Sequence, residues 1–358
     1  MKQQTLGVFL VLLILLFSCS KGNDVPSQVD GSSSNQVADT SVVTLYKAPV
    51  NNKFQVVGYI YRNLGSIPDS KLKMLDVAIY AFASINSSLL PVIANPDTLI
   101  SLVSRCKKLG VKVLLSFNGS QQYFSSMTSQ KSSRGRFVSA LMGMIRQYNL
   151  DGLDNDWEYP STTDGTYYGN ALLMKQLSDS CHVNQKYLLT MAITSGLYVG
   201  STTAGILDVV FNDVDWFNVM IYDNFSTTQL YVQHSPYSML LASFNYWVTT
   251  RNLPRTKFVT GLPLYGRPSG ITQTGTTLHY IDILNQNGNY LSDSATVISP
   301  SYPTPFTIYY NGLNTIQKKV NFSTTNGLGG VMFWEIMMDA NDYRSLVKAT
   351  DDLIGRVY

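Results

Sequence analysis

Short runs of β-branched and aromatic residues recur eight times along the chain, separated by segments long enough to form helices. Amphipathic stretches occupy several of these intervals, namely Thr98–Leu109, Gly135–Tyr148, Gly169–Asn184 and Met239–Asn252. Strands that alternate with helices predict βαβ units and a parallel sheet. The eight runs are Gln55–Tyr61, Val77–Ala83, Lys112–Phe117, Gly152–Trp157, Tyr187–Thr194, Trp216–Tyr222, Phe258–Leu264 and Gly330–Trp334.

Eight such units favour a closed α/β barrel, the (β/α)8 TIM barrel, over an open doubly wound sheet. No GxGxxG turn follows the first strand, which removes the main support for a dinucleotide-binding fold. The segment Pro268 to Thr307 is too long for a plain loop. Local elements over Thr276–Leu284 and Ile308–Tyr310 therefore predict a small elaboration of the seventh βα loop.

The active site of such a barrel lies at the carboxyl ends of its strands. Tyr59 and Phe82 lie near the ends of the first two strands and are expected to form walls of the pocket, with Met220 lining it. We expect the polar and aromatic residues at the other strand ends to converge there, namely Ser116, Asn118, Tyr222, Asp223, Tyr265, Arg267, Trp334 and Glu335.

The fourth predicted strand carries a carboxylate at every second residue: Asp154, Asp156 and Glu158. Residues i, i+2 and i+4 of a strand share one face, so the three acids are expected to stand side by side, with Glu158 at the mouth of the barrel. Like charges at close range raise each other's pKa, and at least one of the three should hold a proton near neutrality.

Three interpretations of this acidic run compete. A cation site of the EF-hand type needs a Gly and a second Glu at fixed positions, but Tyr159 and Pro160 follow Glu158 instead. An exposed turn is at odds with Leu153 and Trp157 within the run. Acid–base catalysis, in which a proton passes between carboxyl groups, explains the crowding best. We expect no metal and no cofactor.

The run from Asp151 to Glu158 matches the DGxDxDWE signature of glycoside hydrolase family 18, the chitinase family. Four other segments resemble motifs of the same family in the same order. The resemblance spans roughly Val56 to Asp339 and implies a (β/α)8 barrel with glycosidase activity. The segments are Ser116 to Gly119 (SxGG), Met220 to Asp223 (MxYD), Tyr265 to Arg267 and Gly329 to Trp334.

Two positions depart from the family pattern. Asn118 stands where the family usually has Gly, and it is expected to narrow the floor of the site. Asn155 stands at a usually apolar position that is expected to face the helices. Neither departure removes a catalytic group.

The resemblance implies substrate-assisted hydrolysis, for which this family is one of the exceptions among retaining glycosidases. Glu158 would protonate the glycosidic oxygen and later activate water. Asp156 would accept the N–H of the substrate's acetamido group, whose carbonyl oxygen attacks the anomeric carbon, and Asp154 would support Asp156. Tyr222 would hold the acetamido carbonyl, and Trp334 would stack beneath the sugar. Asp223 is expected to bind substrate or to orient its neighbours.

The implied substrate is a glycan that contains N-acetylglucosamine. The leading hypothesis is endo-acting hydrolysis of β-1,4 linkages in chitin or its oligomers. An endo-β-N-acetylglucosaminidase that cuts the chitobiose core of N-glycans would use the same chemistry. A non-catalytic glycan-binding lectin on the same scaffold is a third possibility, although such proteins typically lose the acid that Glu158 provides here.

The N-terminus predicts a lipid anchor. Lys2 precedes an apolar run from Leu6 to Phe17 that is too short to span a bilayer, and the segment Leu16 to Cys19 resembles a bacterial lipobox. We therefore expect a signal peptide over 1–18 and lipidation of Cys19, which anchors the protein to a membrane of the cell envelope, at the outer membrane or cell surface. An ordinary cleaved signal peptide with a chance Cys is the alternative.

The polar composition of 19–50 predicts a flexible tether, which leaves 51–358 for the catalytic barrel. The remaining cysteines, Cys106 and Cys181, fall in predicted helices and form no disulfide framework. A net charge of +3 without a basic stripe argues against nucleic acid as a partner. We expect a monomer.

Overall fold

The computed structural model describes residues 53–61, 64–270 and 276–356. The signal peptide, Cys19 and the tether predicted over 19–50 lie outside these residues. Across the described ranges, the longest and most apolar helices still fall short of what a bilayer crossing requires. The strands, in chain order, are β1 Gln55–Ile60, β2 Val77–Ile85, β3 Pro91–Ile93, β4 Lys112–Asn118, β5 Gly152–Asn155, β6 Leu188–Thr194, β7 Trp216–Met220, β8 Phe258–Pro263, β9 Tyr265–Pro268, β10 Leu278–His279, β11 Ser294–Ser299, β12 Tyr302–Tyr309 and β13 Gly330–Trp334.

Eight parallel strands close into a barrel, which confirms the predicted fold class. Their order is β1, β13, β8, β7, β6, β5, β4 and β2, and β2 pairs back with β1. The short strand β3 pairs antiparallel with β2 outside the barrel. The α-helices are α1 Asp69–Leu72, α2 Pro96–Leu109, α3 Gln121–Ser129, α4 Lys131–Tyr148, α5 Thr166–Cys181, α6 Ser201–Ala204, α7 Tyr237–Phe244, α8 Tyr280–Asn285, α9 Leu313–Thr325 and α10 Leu346–Leu353.

Helix α2 shows how local sequence builds the outer layer. Pro96 opens the helix with its backbone angle already suited to the first turn. Gly110 closes it in the left-handed conformation, at φ 73°, which costs glycine little. The face that packs on the barrel repeats at helical spacing and is formed by the buried residues Leu99, Leu102, Val103 and Cys106.

The core has two parts because alternate residues of each strand point in opposite directions. Inside the barrel, a cluster that includes Tyr59, Ile79, Trp216 and Met332 fills the interior. A larger cluster lies between strands and helices, and there each buried aliphatic side chain contributes about 1.5–3 kcal/mol. Asn155 belongs to the outer side as predicted, and its Nδ2 donates to Asn170 Oδ1 on α5 at 3.3 Å.

The predicted elaboration of the seventh βα loop is confirmed. Strands β9 to β12 form a separate antiparallel sheet in the order β10, β9, β12, β11, and α8 follows β10. Strand β9 begins two residues after β8 ends, so this small sheet stands directly at the mouth of the barrel.

Several predicted boundaries differ from the observed ones by a few residues, and two of these differences stand out. The fourth strand was expected to reach Trp157, but β5 ends at Asn155, so Asp156 and Glu158 follow the strand rather than lie in it. The predicted helix over Met239–Asn252 is α-helical only to Phe244 and continues as a π-helical turn over Asn245–Thr250. It ends before Asn252, which has a left-handed φ of 57°.

Candidate active site

Asp154 lies inside the barrel on β5 and is fully buried. Its Oδ1 accepts hydrogen bonds from Thr190 Oγ1 at 2.5 Å and Asn218 Nδ2 at 3.2 Å. Its Oδ2 accepts from Tyr59 Oη at 2.8 Å and Ser116 Oγ at 2.7 Å. Burial raises the pKa of Asp154, although these four donors favour the carboxylate and oppose the rise. The side chain is thus held rigidly beneath the site by four other strands.

Asp156 and Glu158 leave the end of β5 and enter a cavity at the mouth of the barrel. The backbone N–H of Asp156 still donates to Phe117 O on β4 at 3.0 Å, which fixes the chain beyond the strand. The two carboxyl groups are hydrogen bonded to each other. Burial, followed by the charges of Glu158 and Asp154, raises the pKa of Asp156 well above its usual range. Burial also raises the pKa of Glu158.

This pair can therefore share a proton near neutrality, as the run of acids predicted. The Oδ1 atom of Asp156 is buried and accepts no hydrogen bond from an N–H or hydroxyl group of the described residues. A buried acceptor without a donor costs free energy. The site consequently offers this oxygen to an N–H or O–H donor of a ligand.

The cavity has a volume of about 340 Å³. It lies at the carboxyl ends of the barrel strands, where the fold was expected to place the site. Asp154 lies beneath it, while Asp156, Glu158 and Tyr222 form its wall. Four of the predicted substrate-binding residues also line it, namely Tyr59, Met220, Asp223 and Trp334.

Tyr222 and Asp223 follow β7 and differ in charge state. Burial, with the neighbouring Tyr265 and Asp223, raises the pKa of Tyr222 well above its usual value, so its hydroxyl remains a donor. Burial also disfavours the charge of Asp223, but hydrogen bonds from Arg267 and Tyr265, together with the positive charge of Arg267, outweigh it and lower the pKa to about 2. Asp223 is therefore a permanent carboxylate.

Tyr265 and Arg267, both on β9, were expected to contact substrate, but neither belongs to the lining of this cavity. Tyr265 Oη donates to Asp223 Oδ1 at 2.6 Å. Arg267 donates to both carboxylate oxygens of Asp223, at 2.5 and 3.1 Å, and its guanidinium lies 4.4 Å from the ring centre of Phe225. Both side chains turn toward the charge of Asp223 and position it from behind.

Phe82 and Asn118, also predicted to contribute to the site, lie outside the lining of this cavity. The ring of Phe82 stacks on Trp334 with centroids 6.0 Å apart and thus supports that indole. Asn118 Oδ1 accepts a hydrogen bond at 3.0 Å from Ser84 Oγ on the adjacent β2. Tyr59 packs edge-on against Trp334 at 5.3 Å, so the indole is fixed from two sides.

Sequence reasoning missed several residues of the site. Tyr159 lines the cavity, and its side chain favours the charged form of Glu158, so that it opposes the rise in the pKa of Glu158 that burial causes. Tyr198 also lines it although its side chain is 75% exposed, and its Oη donates to Asn224 Oδ1 at 2.8 Å. Tyr198 and Asn224 follow β6 and β7, so the rule that strand ends carry the site could have found both.

A metal site is not suggested by the geometry. Throughout 53–61, 64–270 and 276–356, His, Cys, Asp and Glu side chains form no group of three or more suited to holding a metal ion. Cys106 and Cys181 are free and buried, and burial raises the pKa of each thiol to about 12.

A comparison with family models decides the identity of this barrel. The model for glycosyl hydrolases family 18 matches residues 55–339. The chain belongs to this family. It is therefore a glycoside hydrolase by class, as the acidic run and the accompanying strand-end motifs had indicated.

Curated relatives of this family 18 hydrolase include chitinases of bacteria and plants. Chitinase A1 of Niallia circulans is 27% identical over 277 residues, which cover 61% of this chain and 39% of that protein. Class V chitinase CHIT5a of Medicago truncatula is 27% identical over 271 residues, covering 64% and 70%. Chitinase-3-like protein 2 of Homo sapiens is 23% identical over 316 residues, covering 73% and 78%.

Solved structures support the same fold. A chitinase from Bacteroides thetaiotaomicron has a TM-score of 0.72 at 23% identity, with 85% of this chain and 97% of that chain covered. A class V chitinase mutant from Cycas revoluta in complex with (GlcNAc)3 has a TM-score of 0.72 at 22% identity, covering 84% and 100%. At this identity the likeness is evidence for the barrel alone.

Proposed function

We propose that the protein is an endo-acting hydrolase of β-1,4-linked N-acetylglucosamine, in chitin or chitooligosaccharides, and that it works by substrate assistance. The observation that carries the proposal is the Asp156–Glu158 pair, hydrogen bonded in the cavity, with one buried Asp156 oxygen that has no donor. An acetamido N–H is a donor that matches this oxygen. The chitinases among the relatives, and the (GlcNAc)3 bound to the Cycas revoluta protein, support this substrate class.

The chemistry proposed for each side chain follows from the one proton that the Asp156–Glu158 pair shares. When substrate binds, this proton lies on Glu158 and Asp156 carries the negative charge. Glu158, whose pKa is raised by burial, donates its proton to the glycosidic oxygen as the bond to the anomeric carbon breaks. The substrate's acetamido oxygen attacks that carbon and forms an oxazolinium ion. Asp156 accepts the acetamido N–H, and its negative charge stabilises the ion. Glu158 then takes a proton from the water that opens the ring.

Two further groups complete the proposed geometry. Tyr222 remains protonated and donates its hydroxyl to the acetamido oxygen, which holds that oxygen in line with the anomeric carbon. Trp334, supported by Tyr59 and Phe82, offers its face to the sugar ring. Binding thus places the reacting atoms before the proton moves.

A protein nucleophile is not required, and the environment of Asp223 is consistent with that. Asp223 is the other carboxylate among the residues lining the cavity, and retaining glycosidases commonly use such a second carboxylate as nucleophile. Here Tyr265 and Arg267 occupy both of its oxygens. We assign to Asp223 the role of orienting Tyr222 and the substrate rather than that of attacking the anomeric carbon.

The test is hydrolysis of a matched substrate panel. We expect turnover of chromogenic chitobiose and chitotriose conjugates and internal cleavage of longer chitooligosaccharides, with no cleavage of cellulose oligomers, which lack the acetamido group. Glu158→Gln should lower kcat by roughly 10²–10⁴-fold while ligand binding persists. Release of glycans from a high-mannose glycoprotein alone would identify an endo-β-N-acetylglucosaminidase instead. Binding without turnover would identify a lectin, and cleavage of cellulose oligomers would contradict substrate assistance.

We further propose that Cys19 carries a lipid that tethers the barrel to the cell envelope, at the outer membrane or cell surface. The support is the N-terminal sequence: Lys2 near its start, an apolar run of signal-peptide length and a segment from Leu16 to Cys19 that resembles a lipobox. Two or more acyl chains give stable anchoring, whereas a single chain binds only marginally.

A further inference from the structure

Lys319 is a fully buried lysine on α9 whose charge has no direct counter-ion. Its Nζ donates to Ser235 O at 2.8 Å, Ser235 Oγ at 2.7 Å and Asn311 Oδ1 at 2.7 Å. In the part of the chain that the structure describes, no carboxylate lies within ion-pair distance of this ammonium. Burial lowers the pKa of Lys319 to about 7, and the charge of Asp293 only partly opposes that effect.

Ser235 connects this lysine to the active site. Its Oγ donates a hydrogen bond to the carbonyl oxygen of Ile221, the residue that directly precedes Tyr222 and Asp223. The chain leaves β7 at this point and returns at His234 and Ser235, where the Asn224 N–H donates to His234 O at 2.9 Å. Lys319 and Ser235 therefore hold together the two ends of the loop that carries the catalytic tyrosine.

We propose that Lys319 is a positioning residue for Tyr222 and Asp223, and that it acts through the hydroxyl of Ser235 on the Ile221 carbonyl. This inference rests on the proposed function, because the proposed function assigns the catalytic roles of Tyr222 and Asp223. The new element is that Lys319, a buried residue outside the cavity lining, influences those two residues without contacting substrate.

Proton counting shows how the charge of Lys319 matters. The ammonium has three N–H donors for its three acceptor atoms. The neutral amine has only two N–H donors, and its lone pair accepts a hydrogen bond from a donor group. Of the three partner atoms, only Ser235 Oγ carries a hydrogen that it can give. When Lys319 loses its proton, the Ser235 hydroxyl turns from Ile221 O to Nζ, and the Ile221 carbonyl loses its donor.

Two other ionisable groups approach this network. Asp293 directly precedes β11. Its carboxylate accepts hydrogen bonds from Gly312 N at 2.8 Å and from Thr315 Oγ1, at the start of α9, at 2.6 Å. His234 lies on the loop, and burial lowers its pKa, although Asp223 opposes the shift. The Asp293 charge favours the protonated lysine, while a protonated His234 would oppose it.

Ser235→Ala is the decisive variant because it removes the donor to Ile221 at every pH. We expect kcat on a chromogenic chitotriose conjugate to be about 3–10-fold below wild type at pH 5.5, the effect of one buried hydrogen bond. The ratio of variant to wild-type kcat should rise toward one above pH 8, because the wild type has then lost the same bond. Lys319→Met, which has no proton to lose, should also give a kcat ratio that rises through pH 7.

Lys257→Met is the matched control. Lys257 is likewise buried, and its Nζ donates to the carbonyl oxygens of Phe211 and Val214 at 2.8 and 2.6 Å. It precedes β8 and therefore lies at the opposite end of the barrel from the cavity. We expect this substitution to lower the unfolding midpoint while its kcat ratio stays constant with pH.

Amide hydrogen exchange of a peptide covering 221–226 provides a readout independent of turnover. We expect faster exchange in Ser235→Ala than in wild type at pH 6 and equal exchange at pH 8.5. A kcat ratio for Ser235→Ala that is flat with pH, or equal exchange at both pH values, would overturn the inference. If wild type hydrolyses none of the substrates, the proposed function fails, and the exchange measurement alone then decides the role of Lys319.

Discussion

Removing the side chain of Asp154 should cost far more stability than neutralising it. In Asp154→Asn the amide oxygen continues to accept from Thr190 and Asn218, while the amide nitrogen faces Tyr59 and Ser116. Both of these residues present hydroxyl groups, which can rotate to accept a hydrogen bond. In Asp154→Ala all four donors lose their acceptor in the barrel interior.

The magnitude follows from counting these donors. At about 1–3 kcal/mol for each buried donor left unsatisfied, Asp154→Ala should lose roughly 4–12 kcal/mol. That loss is comparable with the whole stability of a typical domain, about 5–15 kcal/mol. Asp154→Asn exchanges charged for neutral hydrogen bonds but removes a buried charge, so its free energy of unfolding should stay within about 2 kcal/mol of wild type.

The pH dependence has a definite sign. Because the folded-state pKa of Asp154 is raised, the folded protein binds the proton more tightly than the unfolded chain. The contribution of Asp154 to stability is therefore fully present below its ordinary pKa and declines as pH rises through the folded pKa. The free energy of unfolding of Asp154→Asn, measured relative to that of wild type, should thus be higher at pH 7 than at pH 4.

Guanidinium unfolding followed by tryptophan fluorescence, at pH 4 and pH 7, measures these free energies. Enzymatic activity is a separate readout. We expect Asp154→Asn to have a lower kcat than wild type because Asp156 loses its charged neighbour. Equal free energies of unfolding for the Ala and Asn variants would refute the assignment of Asp154 as the acceptor of all four donors. If the free energy of unfolding of wild type instead exceeds that of Asp154→Asn by more at pH 7 than at pH 4, the upward direction of the Asp154 pKa shift is refuted.

Two further predictions concern the mouth of the barrel and the N-terminus. Tyr159→Phe removes the hydroxyl that opposes the rise in the pKa of Glu158. The loss of kcat with rising pH should therefore move to higher pH, and an unchanged profile would exclude an effect of this hydroxyl on Glu158. Cys19→Ala should abolish metabolic labelling with an alkyne-tagged fatty acid and release the protein from membranes, whereas labelling that persists in this variant would exclude Cys19 as the acceptor.

Much of the barrel could be predicted because the relevant signals are local. β-Branched runs such as Val77–Ala83 define strands by residue type, and the spacing of apolar residues in α2 defines the buried face of that helix. The strand-end rule then placed Tyr222 and Trp334 at the site, where both line the cavity. The alternation of Asp154, Asp156 and Glu158 pointed to the acids that lie in and beneath the cavity, even though the strand ends at Asn155.

The orientation of the side chains at the strand ends could not be predicted in the same way. Arg267 stands at a strand end, but it turns to the charge of Asp223 and stays outside the cavity lining. Asn118 also stands at a strand end, yet its amide is held by Ser84 on the neighbouring strand. In both cases the orientation depends on a partner that lies far away in sequence.

The sequence by itself therefore determined the barrel, the acidic run and the edge at which the site forms, because strand and helix periodicity and strand direction are properties of contiguous residues. Tertiary structure decided which side chains meet. The four donors around Asp154 come from four other strands, and Lys319 reaches Ser235 across 84 positions of sequence. Such contacts depend on strand tilt, register and loop path, which only closure of the barrel establishes.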